Sequence, residues 1–151
     1  GIGICAGMST PFVEGATAYI DTNYDGKVAA AKDLFNEGCD LAYIHIEAPD
    51  ECGHRGEAEN KVRSIEIIDE KVLTPMVDFL KALDDDFRIL IMPDHPTPLD
   101  IRTHSASPVP FLIFDSRQEK KGVSSFTEKE AESTKLYIAH GPSVMDKLLE
   151  K

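Results

Sequence analysis

The order of apolar and polar residues along the chain predicts helices that alternate with buried strands. Residues 41–47 (LAYIHIE) and 87–92 (FRILIM) are short, nearly continuous apolar runs. Such runs are typical of strands that are buried on both faces of a parallel sheet. A third run, residues 109–114, contains Pro110, which favours an edge strand or the start of a strand.

A long helical pattern lies between the first two apolar runs. Its apolar residues recur three or four positions apart and predict one stripe on an otherwise charged surface: Val62, Ile65, Ile68, Val72, Met76, Leu80 and Leu83. Pro75 interrupts this pattern, so the helix must kink or split there. Three further helices are predicted, from about Lys27 to Glu37 before Gly38, after the capping box Thr127–Glu130, and from Pro142 to Lys151.

This alternation predicts an α/β fold with a mostly parallel sheet flanked by helices and joined by right-handed crossovers. With 151 residues and 42% hydrophobic content, the chain is long enough for one core, so residues 1–151 are expected to form one domain or part of one. The sequence begins with Gly1 and resembles the interior of a fold there, so we expect a piece of a longer protein. Residues 115–125 are predicted to form a mobile loop.

Charge and cysteine content limit the choice of partners and compartment. The chain has 16 basic and 27 acidic residues and a net charge of −11, which makes nucleic acid and anionic membranes poor partners. An anionic substrate would therefore need a cation at the site. Three widely spaced cysteines, the lack of a CxxC motif and the lack of an 18-residue apolar run indicate a cytoplasmic protein. The sequence does not indicate an oligomeric state.

Acidic and histidine side chains follow two of the predicted strands. Asp50 and His54 come after the first, Asp94 and His95 come directly after the second, and His104 lies ten residues beyond Asp94. Because the carboxyl ends of parallel strands share one edge of a sheet, these residues are expected at a common rim. Carboxylate oxygen and imidazole nitrogen suit Mn²⁺ or Zn²⁺. For any single pair, a solvated polar loop is the simpler interpretation.

The same residues carry a resemblance to a known family. The motifs are Ala48-Pro49-Asp50 with Gly53-His54 and Gly56, then Pro93-Asp94-His95, then Thr103-His104-Ser105 followed by Pro108-Val109-Pro110-Phe111. Together they resemble the C-terminal part of the cofactor-independent (2,3-bisphosphoglycerate-independent) phosphoglycerate mutases, archaeal-type branch, in the alkaline phosphatase superfamily. Residues 15–27 resemble this branch as well, so the resemblance covers roughly residues 1 to 115.

The resemblance implies a two-metal site and a reaction. Asp50, His54 and His104 would hold one divalent ion, Mn²⁺ or Zn²⁺, and Asp94 and His95 would contribute to a second. The implied substrate is a small phosphorylated acid, and the phosphoryl group would move between the 3- and 2-hydroxyls of glycerate through a phosphoserine. The family's serine nucleophile and a further aspartate have no counterpart here. No catalytic residue is therefore assigned in this chain, and the chain alone is expected to be inactive.

Two alternatives to the mutase stay open at the level of the sequence. One is a homoserine kinase-like enzyme or another phosphotransferase or phosphohydrolase of the same superfamily. The other is a non-catalytic interaction module that keeps the fold.

Several other polar residues have a structural explanation that is preferred over a functional one. Asp21–Gly26 imitates an EF-hand loop, but position twelve would be Lys32 rather than a glutamate. His45 is expected to be a hydrogen-bonded core residue, Cys52 a small packing residue rather than a ligand, and His140 structural. Glu47, Glu51 and Glu57 could orient histidines, with a solvated face as the default.

Overall fold

The computed structural model of the protein describes residues 1–118 and 120–150. Glu119, in the predicted loop, and Lys151, at the end of the last predicted helix, lie outside the described residues. The chain divides into two compact units. Unit 1 contains residues 1–83 and 98–103, and unit 2 contains residues 84–97 and those from 104 onward.

Unit 1 is helical. Its elements in chain order are α1 (Ile2–Cys5), α2 (Tyr24–Asn36), α3 (Ala48–Arg55), α4 (Ala58–Ile68), a π-helical segment (Asp69–Leu73) and α5 (Thr74–Ala82). The centre of its core is formed by Tyr24, Val28 and Ala31 of α2 together with Val72 and Met76. The π-helical segment and α5 both pack against α2.

Helix α2 confirms the prediction for residues 27–37, although it begins at Tyr24. The Asn23 side chain accepts a hydrogen bond from Gly26 N at 2.8 Å, which caps the helix. Gly38 follows the helix with a φ of 94°, the left-handed conformation that glycine adopts easily. Since α2 begins inside Asp21–Gly26, that stretch is a helix start rather than a calcium loop.

The long apolar stripe is split, as Pro75 predicts. Thr74 N donates to Asp69 O five residues back, so the segment before Pro75 is a π-helical turn. One added residue rotates the later face by about 100°, and a single stripe therefore cannot run through both helices. Val72, Met76 and Leu80 are buried, whereas Val62 and Ile65 are 58% and 54% exposed. The seven residues of the predicted stripe therefore do not share one buried face, and the division at Pro75 is as predicted.

Residues 41–47 are not a strand, which corrects the prediction made from their apolar run. Among the described residues, no strand pairs with this segment. The side chains of Ala42, Ile44 and Ile46 pack against the core, whereas Leu41, Tyr43 and His45 are exposed. Only one face is therefore packed, and His45 is not a core histidine. Its carbonyl oxygen accepts a hydrogen bond from Lys27 Nζ at 2.7 Å.

Unit 2 contains the two strands of the described residues, β1 (Arg88–Ile91) and β2 (Leu112–Asp115). They pair antiparallel, with Arg88 opposite Asp115 and Ile91 opposite Leu112. The positions of both strands agree with the predicted runs, and Pro110 precedes β2 as expected for a strand start. The sheet was predicted to be mostly parallel, but these two strands run antiparallel, because no helix lies between β1 and β2 to carry the chain back to the first end.

The two strands of unit 2 are joined to its last helix through Arg88. Arg88 Nε donates to Asp115 Oδ2 at 2.7 Å, and Arg88 Nη1 donates to Leu148 O at 2.9 Å. Asp115 therefore ends β2 and does not begin the predicted loop. Arg117 pairs with the same carboxylate at 2.8 Å. The two cations lower the pKa of Asp115, with the hydrogen bonds from Arg117 as the larger cause.

Two short helices complete unit 2. Helix α6 (Glu128–Ser133) follows Thr127, whose hydroxyl accepts from Glu130 N at 3.2 Å, so the predicted cap is confirmed. Helix α7 (Ser143–Leu149) buries Val144. No helix in the described part of the chain is long and apolar enough to cross a membrane.

Candidate metal centre

Asp50 and His54 lie one turn apart on the same face of helix α3, in unit 1. The spacing of four residues brings the Asp50 Oδ2 and His54 Nε2 atoms to 3.4 Å. A polar loop was the simpler interpretation of this stretch from sequence, but the structure has a helix. Pro49 in the first turn and Gly56 after the last residue, with a φ of 72°, are the sequence signals for it.

The second ring nitrogen of His54 contacts the backbone. His54 Nδ1 lies 3.0 Å from the carbonyl oxygen of Arg102. A carbonyl can only accept, so the Nδ1 atom carries the proton. In the neutral ring, the lone pair of Nε2 is then on the side of Asp50. This arrangement, with one ring nitrogen held by an oxygen acceptor and the other facing a carboxylate, is typical of metal-binding histidines.

Asp94, His95 and His104 come together in unit 2. The Asp94 Oδ2 atom lies 3.3 Å from His95 Nε2, and the Asp94 Oδ1 atom accepts from His95 N at 3.1 Å. His95 Nδ1 is 3.4 Å from the hydroxyl of Thr97, which is 5% exposed. The centroids of the His95 and His104 rings are 3.7 Å apart. A hydrogen bond from Ser105 N to Pro96 O at 3.1 Å joins the residue after His104 to the residue after His95.

The two aspartate–histidine pairs have the same organisation. In each, a carboxylate oxygen faces Nε2, and another oxygen lies beside Nδ1. Asp50, His54 and His104 offer a carboxylate oxygen and imidazole nitrogens. This donor set fits borderline divalent cations such as Mn²⁺ and Zn²⁺. That the two pairs share one rim stays a prediction.

Cys52 lies between the two α3 ligand candidates but is fully buried, with 0% exposure. Burial raises the pKa of its thiol, so the thiol is protonated at neutral pH. Burial and protonation support the predicted role in packing. The residue belongs to a helix and not to a loop.

The three glutamates considered as orienters of histidines have other partners. Glu57 accepts hydrogen bonds from Tyr19 Oη and from Asn60 Nδ2, the latter at 2.8 Å, and these bonds lower the pKa of Glu57. Glu51 pairs with Arg55 at 3.7 Å. Glu47 lies 3.8 Å from Nδ1 of His45, which is not a candidate ligand. The sequence therefore did not identify the neighbours that lie beside Nδ1 of the candidate ligands His54 and His95.

Those neighbours are Arg102 and Thr97. The contact of Arg102 uses a backbone carbonyl, which every residue type has, so no sequence signal could identify it. Thr97 is polar and follows His95 by two residues, which is a weak signal. His140 has a structural contact, with its Nδ1 atom 3.0 Å from Ser143 Oγ at the start of α7.

Comparison with known proteins defines the class. A family model described as Metalloenzyme superfamily matches residues 4–151, so the chain belongs to this superfamily. Individual relatives carry a more specific name. A probable 2,3-bisphosphoglycerate-independent phosphoglycerate mutase of Geobacter sulfurreducens is 45% identical over 152 residues, covering 100% of this chain and 38% of that protein. The 2,3-bisphosphoglycerate-independent phosphoglycerate mutase of Methanothrix thermoacetophila is 50% identical over 131 residues, covering 87% and 33%.

A solved structure supports the same assignment of fold. The PH0037 protein of Pyrococcus horikoshii superimposes with a TM-score of 0.72 at 28% identity, covering 87% of this chain and 39% of that one. The α/β, alkaline phosphatase-like fold and the resemblance to the cofactor-independent mutases are therefore confirmed. The chain spans 38% or less of the two mutases named above.

Proposed function

We propose that the chain is the metal-binding C-terminal portion of a phosphoglycerate mutase that interconverts 3-phosphoglycerate and 2-phosphoglycerate. The observation that carries the proposal is the pair of matching Asp–His contacts, Asp50 with His54 and Asp94 with His95, at 3.4 and 3.3 Å. The chain that carries them is 45% and 50% identical to proteins named as this mutase.

The proposed assignment of ligands follows the family pattern. Asp50, His54 and His104 hold one ion, and Asp94 and His95 contribute to the second. The contact between the His95 and His104 rings, 3.7 Å between centroids, supports neighbouring ions. The sequence supports the grouping of His104 with Asp50 and His54. Arg102, whose carbonyl oxygen contacts the His54 ring, is only two residues from His104.

The metal ions are needed because the protein is strongly acidic. The chain carries a net charge of −11, and the proposed substrate is an anion, so the bare protein repels it. A pair of Mn²⁺ or Zn²⁺ ions would supply Lewis-acid charge that neutralises the phosphoryl oxygens. The residues of this chain contribute by fixing the ligand rings, with the His54 Nδ1 proton donated to Arg102 O.

The reaction also needs a serine nucleophile, which the family pattern puts outside residues 1–151. We therefore expect this chain alone to bind metal and to lack mutase activity, while the full-length protein is active. A glycolytic role and a cytoplasmic location belong to the same proposal. The three free cysteines, Cys5, Cys39 and Cys52, are compatible with a reducing compartment.

Two measurements test the proposal. Titration of the chain with Mn²⁺, followed by the electron paramagnetic resonance signal of free Mn²⁺, should give saturable binding. Full-length protein supplied with 3-phosphoglycerate should form 2-phosphoglycerate, as followed by ³¹P NMR. Failure to bind Mn²⁺ or Zn²⁺ at high concentration would favour the interaction module. Metal binding without mutase activity in the full-length protein would favour a different phosphotransferase of the superfamily.

A further inference from the structure

Arg102 differs from the other four arginines of the chain, because no carboxylate among the described residues pairs with it. Arg55, Arg63, Arg88 and Arg117 each lie between 2.7 and 3.7 Å from a carboxylate oxygen. The Arg102 side chain is exposed. In a chain with a net charge of −11, an arginine without a neutralising carboxylate is a local attraction for an anion.

The backbone and the side chain of Arg102 both contact the C-terminal end of α3. Its carbonyl oxygen accepts from His54 Nδ1 at 3.0 Å. Its guanidinium lies against Gly56, where an added Cβ would come within 2.6 Å of Nε and 2.8 Å of Cζ. Glycine at position 56 thus suits the site in two ways, by adopting a φ of 72° and by leaving the space that the guanidinium occupies. The positive charge is held next to the helix that carries Asp50 and His54.

The backbone of Arg102 is in a conformation that residues other than glycine rarely adopt. Its φ is 52°, and its N–H donates to Pro98 O at 2.9 Å. A left-handed conformation costs an L-residue about 1–2 kcal/mol. This turn presents the Arg102 carbonyl oxygen to the His54 ring.

We propose that the Arg102 guanidinium binds an oxyanion group of the substrate, either phosphate or carboxylate, beside the metal ions. The proposal rests on the proposed function for the identity of the substrate. A guanidinium presents a planar fork of N–H donors that matches two oxygens of a phosphate or a carboxylate. Arg102 therefore binds and orients the anion, while its carbonyl orients a ligand ring.

The test uses inorganic phosphate as the probe and the Mn²⁺-loaded chain as the protein. In Arg102→Gln, the affinity for phosphate should fall about ten- to a hundredfold, as expected for a charge-assisted pair. The affinity for Mn²⁺ should not fall, because the backbone carbonyl that holds His54 remains and the charge that is removed is positive. Arg63→Gln removes the same charge from α4 and should leave phosphate binding unchanged. Arg102→Lys should restore part of the phosphate affinity.

The outcomes separate this proposal from the proposed function. Equal phosphate affinity in Arg102→Gln and Arg63→Gln overturns the role of Arg102, and so does an unsubstituted Mn²⁺-loaded chain that binds neither phosphate nor glycerate. A parallel titration with glycerate tells a carboxylate partner from a phosphate partner by which affinity the substitution lowers. If the full-length protein has no mutase activity but Arg102 still controls phosphate binding, the mutase assignment is overturned. The proposal that Arg102 binds an anion is then still supported.

Discussion

Asp50 and Glu51 are neighbours in the first turn of α3, but only Asp50 faces a candidate ligand histidine. Asp50→Asn and Glu51→Gln each remove one negative charge from the same turn. We expect Asp50→Asn to weaken Mn²⁺ binding at least tenfold, because it replaces the proposed ligand carboxylate with a poorer donor. Glu51→Gln should change it little, since an exposed charge acts only through the screened field. Electron paramagnetic resonance titration of both variants measures the difference.

If both substitutions weaken Mn²⁺ binding by the same factor, the effect of Asp50 comes from the general field and Asp50 is not a ligand. Circular dichroism should show unchanged helix content in both variants. Neither side chain is buried, and the substitutions keep the size of the residue.

The thiols of Cys5 and Cys52 differ in burial, and their reactivity should differ accordingly. Cys5 is exposed, whereas Cys52 is fully buried and the pKa of its thiol is raised by that burial. Since the thiolate is the reactive form, iodoacetamide at neutral pH should modify Cys5 and leave Cys52 unmodified in the folded chain. Mass spectrometry of the digested protein measures this. Rapid modification of Cys52 in the folded chain would contradict its burial in α3.

The sequence offers the candidate ligands directly, but it does not offer the groups that orient them. Asp50, His54, Asp94, His95 and His104 carry chemistry in their side chains, and their order can be read directly. Arg102 holds the His54 ring with a backbone carbonyl, and its position depends on a turn with a φ of 52°. A contact made by a backbone atom between distant residues leaves no signature in residue types.

The C-terminal ends of α2 and α3 provide a matched pair of glycines. Gly38 and Gly56 have φ values of 94° and 72°, but only Gly56 has a side chain, Arg102, in the space of a Cβ. Each change to alanine should cost about 1 kcal/mol of unfolding free energy from the backbone. Only Gly56→Ala should also displace the Arg102 guanidinium. We therefore expect similar losses of stability in urea but a loss of phosphate binding in Gly56→Ala alone.

Unchanged phosphate binding in Gly56→Ala would mean that the guanidinium acts equally well from another position. A much larger loss of stability for Gly56→Ala than for Gly38→Ala would mean that the Arg102 side chain cannot move aside. Both variants introduce the same backbone strain. The difference between them therefore measures the contact of the Arg102 side chain with the end of α3.

The pairing of β1 with β2 predicts a dependence of stability on pH. The hydrogen bonds from Arg117 and Arg88 keep the pKa of Asp115 below its unfolded value of about 3.9. A lowered pKa in the folded state stabilises the fold above the unfolded pKa, and this contribution is lost as the pH falls towards the folded pKa. Asp115→Asn should therefore be less stable than the parent at pH 7, and the difference should shrink at pH 3.

Urea midpoints at pH 7 and pH 3 for Asp115→Asn, with Asp146→Asn on α7 as the control, measure this effect. The control should be close to the parent at both values, because among the described residues the Asp146 carboxylate makes no hydrogen bond or close ion pair like those of Asp115. An undiminished difference between Asp115→Asn and the parent at pH 3 would contradict the role of the ion pairs.

The positions of the strands along the chain could be predicted better than the pairing between them. The alternation of residues 41–47 is visible in the burial of Ala42, Ile44 and Ile46, but an extended segment becomes a strand only when another backbone bonds to it. The apolar run could not show whether that partner exists. The same reason explains the antiparallel pairing of β1 with β2. Both strands were located from sequence, but their relative direction depends on the connection between them.

Because the whole molecule is strongly acidic, a test of the metal site must distinguish cations held by ligands from cations held only by the overall negative charge. With a net charge of −11, the chain attracts divalent cations even without ligands. Screening shortens this attraction, because the Debye length falls from about 10 Å at 0.1 M salt to about 3 Å at 1 M. Bonds to carboxylate oxygen and imidazole nitrogen act at contact distance and should survive it.

We therefore expect a fraction of the Mn²⁺ to stay bound to the unsubstituted chain in 1 M KCl, and the same fraction to be released in His54→Ala. Mg²⁺ should compete poorly for this fraction, since it prefers oxygen ligands and gives up its water reluctantly. Equilibrium dialysis at 0.1 M and 1 M KCl measures both quantities. Complete release of Mn²⁺ at 1 M KCl would mean that the acidic surface, and not the histidines, had held it. The similarity to metalloenzymes would then describe the fold of this chain and not a working site.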